Sequence, residues 1–244
     1  MEQRPVCLSV GGSDSCGGAG IQADLRVFEA LEVQGCSAIS ALTAQNPSEI
    51  KQVQPASIAQ FQAELRAILD YYPVQSIKTG MLYDEQHLLS LVEVLSTASY
   101  ASLIVDPVLI SSSGTHLFES ENTIDAYHQL ISCATLWTPN LQEAAFFIDD
   151  EIQDPIDTAS ALLLMFKVPV LLKGGHGEGE IFRDIFCDVD GSVEIFEHPK
   201  KHISSAQSHG TGCRLASAIA ANLAHKNDLL TSIKDAQHWM QANL

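Results

Sequence analysis

Positive charge is scarce in this chain. Its 244 residues hold 13 Lys plus Arg against 30 Asp plus Glu, a formal net charge of −17. A duplex- or RNA-binding surface needs a basic face to meet phosphates, so no nucleic-acid partner is expected. An anionic small substrate stays open, but local donors rather than the overall field must meet it. Long hydrophobic runs are lacking too. The most apolar stretch, Ala159 to Leu172, is interrupted by Lys167 and Pro169 and is too short to span a bilayer. The opening MEQRPVCLSV reaches a glycine pair before a secretory apolar core can form, so a cytoplasmic location with no membrane partner is expected. None of the cysteines sits in a CxxC spacing, and a chain of this size needs no disulfide framework, so reduced thiols are expected. Repeats, low-complexity tracts and linkers are absent as well. With 46% hydrophobic residues there is enough apolar material for one sizeable core, and residues 1–244 read as a single domain.

What is present is alternation. Short apolar runs at Val6–Gly11, Cys36–Leu42, Ser76–Thr79, Leu103–Val105, Thr135–Trp137 and Val170–Leu172 read as buried strands. Helical spacing appears over Gly18–Leu31, Ser57–Leu69, Glu85–Leu95, Leu141–Phe147 and Thr158–Phe166. Two more helices fit Thr211 to Leu244, divided near Asn227-Asp228. Strands alternating with helices imply right-handed βαβ units and a mostly parallel sheet covered on both faces. Ile181–Val189 and Ser192–Glu197 flank Asp190-Gly191, which predicts an antiparallel edge hairpin with a type I′ turn.

Parallel sheets bind ligands beyond the carboxyl ends of their strands. The residues that follow the strands are Gly11 to Asp14, Thr43 to Asn46, Gly80-Met81, Asp106-Pro107, Thr138 to Asn140, and Lys173 to His176. Gly18 to Ala23 matches the loose GxGxxA dinucleotide pattern. Its first glycine lies about seven residues beyond the strand, and no ribose-binding acid sits near Ala38 to Ser40, so a nicotinamide site is not expected. His209-Gly210-Thr211-Gly212-Cys213 precedes a helical run, where glycines let backbone N–H groups form an anion hole and the helix dipole favours a thiolate at Cys213. The same residues also fit a plain glycine turn with Cys213 as a small core residue.

Asn140 with Glu143 three residues on has the arrangement of a helix cap, and equally of a place near a bound cation. Asp106 at a strand end carries the same two readings, with Pro107 setting a turn in the structural one. Lys173 reaches either a phosphate at the sheet edge or plain solvent. Gln45 is the most suggestive specificity residue, because a side-chain amide donates and accepts side by side and so matches an aminopyrimidine edge. His176 and His209 have no metal-ligand spacing and read as loop residues.

These pieces, in this order, resemble the hydroxymethylpyrimidine/phosphomethylpyrimidine kinases of thiamine biosynthesis, within the ribokinase-like superfamily. The resemblance rests on Gly12-Ser13-Asp14 with Gly17 to Asp24 (GGAGIQAD), Ala41 to Asn46 (ALTAQN), Lys78 to Met81, Val105 to Val108, Thr138 to Leu141 with Glu143-Ala144, Lys173 to His176, and His209 to Cys213 (HGTGC). It implies a three-layer α/β/α sandwich that transfers the ATP γ-phosphate to the hydroxymethyl group of an aminopyrimidine. By position, Cys213 would be the base, and Gly210, Thr211 and Gly212 the anion hole. Gln45 would bind the pyrimidine, with Gly12, Thr43, Met81 and Asp24 in the same pocket. Lys173 and Asn140 would meet ATP phosphates, and Glu143 and Asp106 would organise Mg²⁺ and its waters. The resemblance also implies a homodimer. Pyridoxal or pyridoxine kinases share this chemistry, and a silent pyrimidine-binding protein would share the pocket. The chain departs from the family's SDPSGG stretch by reading Ser13-Asp14-Ser15-Cys16-Gly17-Gly18, and it places Arg214 where a small hydroxyl residue is usual.

Overall fold

The computed structural model describes residues 4–109, 117–118, 122–174, 181–199 and 209–243. In chain order the elements are β1 (Val6–Asp14), α1 (Gly20–Ala30), β2 (Gln34–Asn46), β3 (Glu49–Pro55), α2 (Ile58–Leu69), β4 (Val74–Thr79), α3 (Glu85–Leu95) and β5 (Ser102–Val105). They continue with α4 (Thr123–Ile131), β6 (Leu136–Trp137), α5 (Leu141–Ile148), α6 (Pro155–Phe166), β7 (Val170–Leu172), β8 (Ile181–Cys187), β9 (Val193–Pro199), α7 (Thr211–Ala224) and α8 (Leu229–Asn243). The nine strands form one sheet in the order β3-β2-β1-β4-β5-β6-β7-β8-β9.

The six strands from β2 to β7 in that order pair parallel, as the alternation of strands and helices requires. Side chains on successive strand residues point to opposite faces, and here both faces are apolar. Leu8, Val10, Leu103, Val105, Trp137, Val170 and Leu172 face one core, closed by α2 to α6. Cys7, Ile104, Leu136, Leu171 and Phe186 face the other, closed by α1, α7 and α8. The result is the expected three-layer α/β/α sandwich. Among the described residues no helix is long and apolar enough to cross a membrane.

Both edges are antiparallel, whereas the sequence predicts one such edge. β8 and β9 form the expected hairpin. Its turn is wider than type I′, which needs positive φ at both central residues. Here Gly191 has φ +86° and Asp190 does not. Gly191 N–H donates to the Asp188 carbonyl at 3.0 Å and Asp188 N–H donates to the Ser192 carbonyl at 3.0 Å, so the loop spans Asp188 to Ser192. At the other edge, Thr43 to Asn46 do not follow β2 but continue it, because β3 pairs antiparallel with them. That arm alternates exposed and half-buried residues rather than burying both faces.

The chain leaves β1 for β2 on one side and returns to β4 on the other, so a crevice opens where the connections diverge. Glycine keeps it narrow. Gly80 N–H donates to the Val10 carbonyl at 2.8 Å, and a Cβ on Gly12 would press on the Met81 sulfur.

Candidate active site

Three strand ends and one helix start build the site. β5 ends at Val105, and Asp106 follows with its backbone turned by Pro107; Tyr127 on α4 donates its hydroxyl to the Pro107 carbonyl at 2.6 Å and fixes that turn. Beyond β6, Asn140 and Glu143 close a capping box at the start of α5. Asn140 Oδ1 accepts from Glu143 N–H at 2.9 Å, and Glu143 Oε2 accepts from Asn140 N–H at 2.9 Å. The second Glu143 oxygen accepts from Leu109 N–H at 3.1 Å, so this acid ties the segment after β5 to the one after β6. Beyond β7, Lys173 donates to the Lys173-facing oxygen of Asp106, Oδ1, at 2.6 Å. Its side chain is only 12% exposed, which removes the solvated reading of Lys173. Gly174 N–H donates to buried Asp184, which pins the turn after Lys173.

Charge in this cluster is crowded. Desolvation and the Asp106 carboxylate drive the Glu143 pKa up to about 7, against the lowering pull of Lys173 and the two backbone N–H donors. Burial pulls the Lys173 ammonium down, but Asp106 and Glu143 more than offset it and the net shift is upward. Glu143 thus caps α5, as its spacing from Asn140 predicts, and it also stands among charges.

The α7 helix begins over this cluster. Its N-cap, Gly210, has φ +81°, and a Cβ there would collide with the Gly18 carbonyl oxygen, so no other residue lets the two loops approach so closely. The cap contributes no side-chain oxygen, and a Cβ on Gly212 would lie 3.2 Å from Lys173 Nζ. The first turn of α7 thus faces Lys173. Cys213 is partly exposed in that turn. The dipole argument for a thiolate fails here, because desolvation pushes the thiol up to about 11, aided by Asp106 and Asp24 and opposed by Lys78 and Lys173. At neutral pH Cys213 keeps its proton.

Asp24 lies beneath these groups. It is 1% exposed, and its carboxylate accepts from Lys78 Nζ at 3.0 and 3.1 Å, Ser9 Oγ at 2.6 Å and Ser217 Oγ at 2.7 Å. This buried network joins β1, α1, β4 and α7 beneath the site. Burial lowers the Lys78 pKa, but Asp24, Cys213 and Asp106 reverse that, so Lys78 stays charged. Lys78 is fully buried within β4, and a charge enclosed in this way needs the partner that Asp24 supplies.

On the other side of the crevice, Met81 packs with Ala41 and Leu117, flanked by Ile50, Val53, Tyr83 and Val108. Thr43 Oγ1 donates to the Ser13 carbonyl at 2.9 Å and Ser40 Oγ to the Met81 carbonyl at 2.6 Å. Half-buried Gln45 shares hydrogen bonds with Ser15 Oγ through its backbone, and its side-chain amide lies near enough to Asp14 to help hold that carboxyl low. Gly12, Thr43, Gln45 and Met81 therefore share one side of the crevice. His209, read as a loop residue, is buried with Nε2 3.0 Å from Asp14 Oδ2. Gly175 and His176 lie outside the described residues.

The donor set near Asp106 fits a hard divalent cation. Asp106 Oδ2 is buried and has no hydrogen-bond partner among the described residues, and the neighbouring acid Glu143 likewise offers oxygen only.

Comparison with known proteins agrees with this geometry. The phosphomethylpyrimidine kinase family model matches residues 14–244. A hydroxymethylpyrimidine/phosphomethylpyrimidine kinase from Rhizobium meliloti is 35% identical over 97% of this chain and 89% of its own length. A crystal structure of phosphomethylpyrimidine kinase from Clostridium difficile superposes with a TM-score of 0.85 at 30% identity, covering 98% of this chain and 99% of that one. The pyridoxal kinase of Staphylococcus aureus, solved with AMP-PCP and pyridoxal, gives a TM-score of 0.85 at 25% identity over 98% of this chain and 87% of that one. Because the match runs from the last residue of β1 to residue 244, well over half of the chain, the chain belongs to the phosphomethylpyrimidine kinase family.

Proposed function

We propose that this protein transfers the γ-phosphoryl group of ATP to the hydroxymethyl oxygen of 4-amino-5-hydroxymethyl-2-methylpyrimidine, and then a second phosphoryl group to the resulting monophosphate. The observation that carries the proposal is the start of α7, with Gly212 and Cys213 set against Lys173, Asp106 and Glu143 at the carboxyl ends of three parallel strands. Phosphoryl transfer asks for alignment and charge stabilisation more than for covalent chemistry, and this arrangement offers both.

In the proposed reaction the substrate oxygen bonds to the γ-phosphorus as the bond to the bridging oxygen breaks, and ADP leaves. The backbone N–H groups of Gly210 to Gly212 receive charge on the transferring oxygens, and Lys173 adds a positive charge beside them. Asp106 and Glu143 would hold Mg²⁺, directly or through water, and the cation supplies neutralisation of phosphate charge. Asn140 holds Glu143 in register through the capping box and lies beside Lys173 in a parallel bridge. Cys213 orients the hydroxymethyl group. Because its thiol is protonated at neutral pH, the alcohol proton stays in place until the new O–P bond has raised its acidity, and it then passes to an oxygen of the transferred phosphoryl group. Gln45 reads the amino edge of the ring, while Gly12, Thr43 and Met81 form the wall. The family resemblance extends the proposal to a cytoplasmic homodimer, which sedimentation of the purified protein tests.

Gln45→Leu tests the pocket. The pyrimidine loses its paired edge, and binding weakens by roughly 1–3 kcal/mol while ATP affinity is retained. Isothermal titration of each ligand reads the two separately, and an equal loss for ATP would contradict the assignment. Mass spectrometry of the wild-type reaction should show the monophosphate first and the diphosphate later.

A further inference from the structure

Beside the phosphate cluster, a second group of ligating side chains meets at the other rim of the crevice. Asp14 ends β1, Cys16 lies in the loop that follows, and His209 directly precedes the glycine turn into α7. Asp14 Oδ2 is 3.0 Å from His209 Nε2 and 3.4 Å from Cys16 Sγ. All three ligand atoms lie within 4.8 Å of one another, and among the described residues no other group of three His, Cys, Asp or Glu does this. None of the three belongs to the Asp106–Glu143 set.

We propose that Asp14, Cys16 and His209 form a zinc-type metal site that clasps the end of β1 to the start of α7. Tetrahedral zinc with bonds of about 2.0–2.3 Å to oxygen, nitrogen and sulfur places its ligand atoms roughly 3.3–3.6 Å apart; the Asp14–Cys16 separation of 3.4 Å meets this and the Asp14–His209 separation of 3.0 Å is a little shorter. One thiolate, one imidazole and one carboxylate suit a borderline cation such as Zn²⁺, and suit Mg²⁺ poorly. The ligands are already oriented. Asp14 accepts from Ala19 N–H at 2.8 Å through Oδ2 and from Cys16 N–H at 2.9 Å through Oδ1. Gly18 lies so close to the His209 ring that a Cβ there would strike it, so glycine at this position is what lets the ring reach Asp14. Asp14 and His209 are buried, while Cys16 is exposed, so the cation has an entry path and a solvent side for a fourth ligand. On binding, the metal forms a bond to Cys16 Sγ as the S–H bond breaks, and that proton goes to buffer. It also takes the Nε2 lone pair of His209: the hydrogen that Nε2 donates to Asp14 in the metal-free protein is lost to buffer, and Nδ1 carries the ring hydrogen.

The site is tested on metal-free full-length protein with Co²⁺ as probe, read by its thiolate charge-transfer absorption in the near ultraviolet. One Co²⁺ per chain with that band is expected, displaced by Zn²⁺ and not by excess Mg²⁺. The band should persist in Cys133→Ser, which removes the other exposed thiol, and vanish in Cys16→Ser. Zn²⁺ affinity should fall at least about tenfold in both Cys16→Ser and His209→Asn, the lower end of losses seen when even outer partners of a metal site are removed. Cys16 is exposed, so its serine variant folds and decides the matter alone. Absence of the band in the wild type, its survival in Cys16→Ser, or its loss to Mg²⁺ would each overturn the proposal.

Discussion

Lys78 shows what a single buried charge demands. It is fully enclosed in β4, and Asp24 is its partner across α1. Removing one member leaves the other charged and unpaired, which costs about 3–5 kcal/mol. Lys78→Met should therefore destabilise the protein by that amount in urea denaturation, and adding Asp24→Leu should recover part of the loss. Additive losses in the double variant would deny the coupling. The same residue scale carries a pH prediction. Glu143 has its pKa raised from 4.5 to about 7, so the folded protein binds more protons than the unfolded chain between those values. The stability this contributes is full below about 4.5 and is lost as pH rises through about 7. In metal-free buffer, Glu143→Gln should flatten that part of the Tm profile; an unchanged slope would place the titration elsewhere. Neither residue's environment is legible in the sequence alone. A cap at Asn140 and Glu143 can be read from spacing, but the crowding by Asp106 comes from the pairing of β5 with β6.

At the scale of elements, the start of α7 bears the most function per residue. Gly210 sits at φ +81° against the Gly18 carbonyl. Gly210→Ala adds left-handed strain of roughly 1–3 kcal/mol and a collision besides, so both Tm and kcat should fall. Retained turnover in that variant would show that the close approach of the two loops is dispensable. Elements with a buried apolar period were legible in sequence, as Glu85–Leu95 shows by matching α3 in full. β3 was not, because EIKQVQP has only Ile50 and Val53 to bury and its alternation is mostly polar. α4 carries its signal in Ala126, Tyr127, Leu130 and Ile131, but it was not among the helices read from spacing. The β8–β9 turn shows a further limit: Asp190-Gly191 marks a hairpin, while backbone bonds at Asp188 decide its width.

For the whole molecule, one alternating pattern on the strands divides the apolar residues between two cores, and the sheet between them fixes where the strand ends meet. The site exists because β1, β4, β5, β6 and β7 all release the chain on the same rim, with α7 returning over it. Most motifs in the sequence mark a strand end or a helix start, so the list of candidate residues was legible, but the burial of Asp24 against Lys78 was not. The most direct test of the account is ADP release with Mg-ATP, comparing the hydroxymethylpyrimidine with pyridoxal in the wild type and in Cys213→Ala. The account predicts turnover favouring the pyrimidine, and a fall in kcat of ~10²-fold in the variant with little change in KM, the size expected for losing alignment of the attacking group. Preference for pyridoxal, or an unchanged kcat in Cys213→Ala, would contradict it.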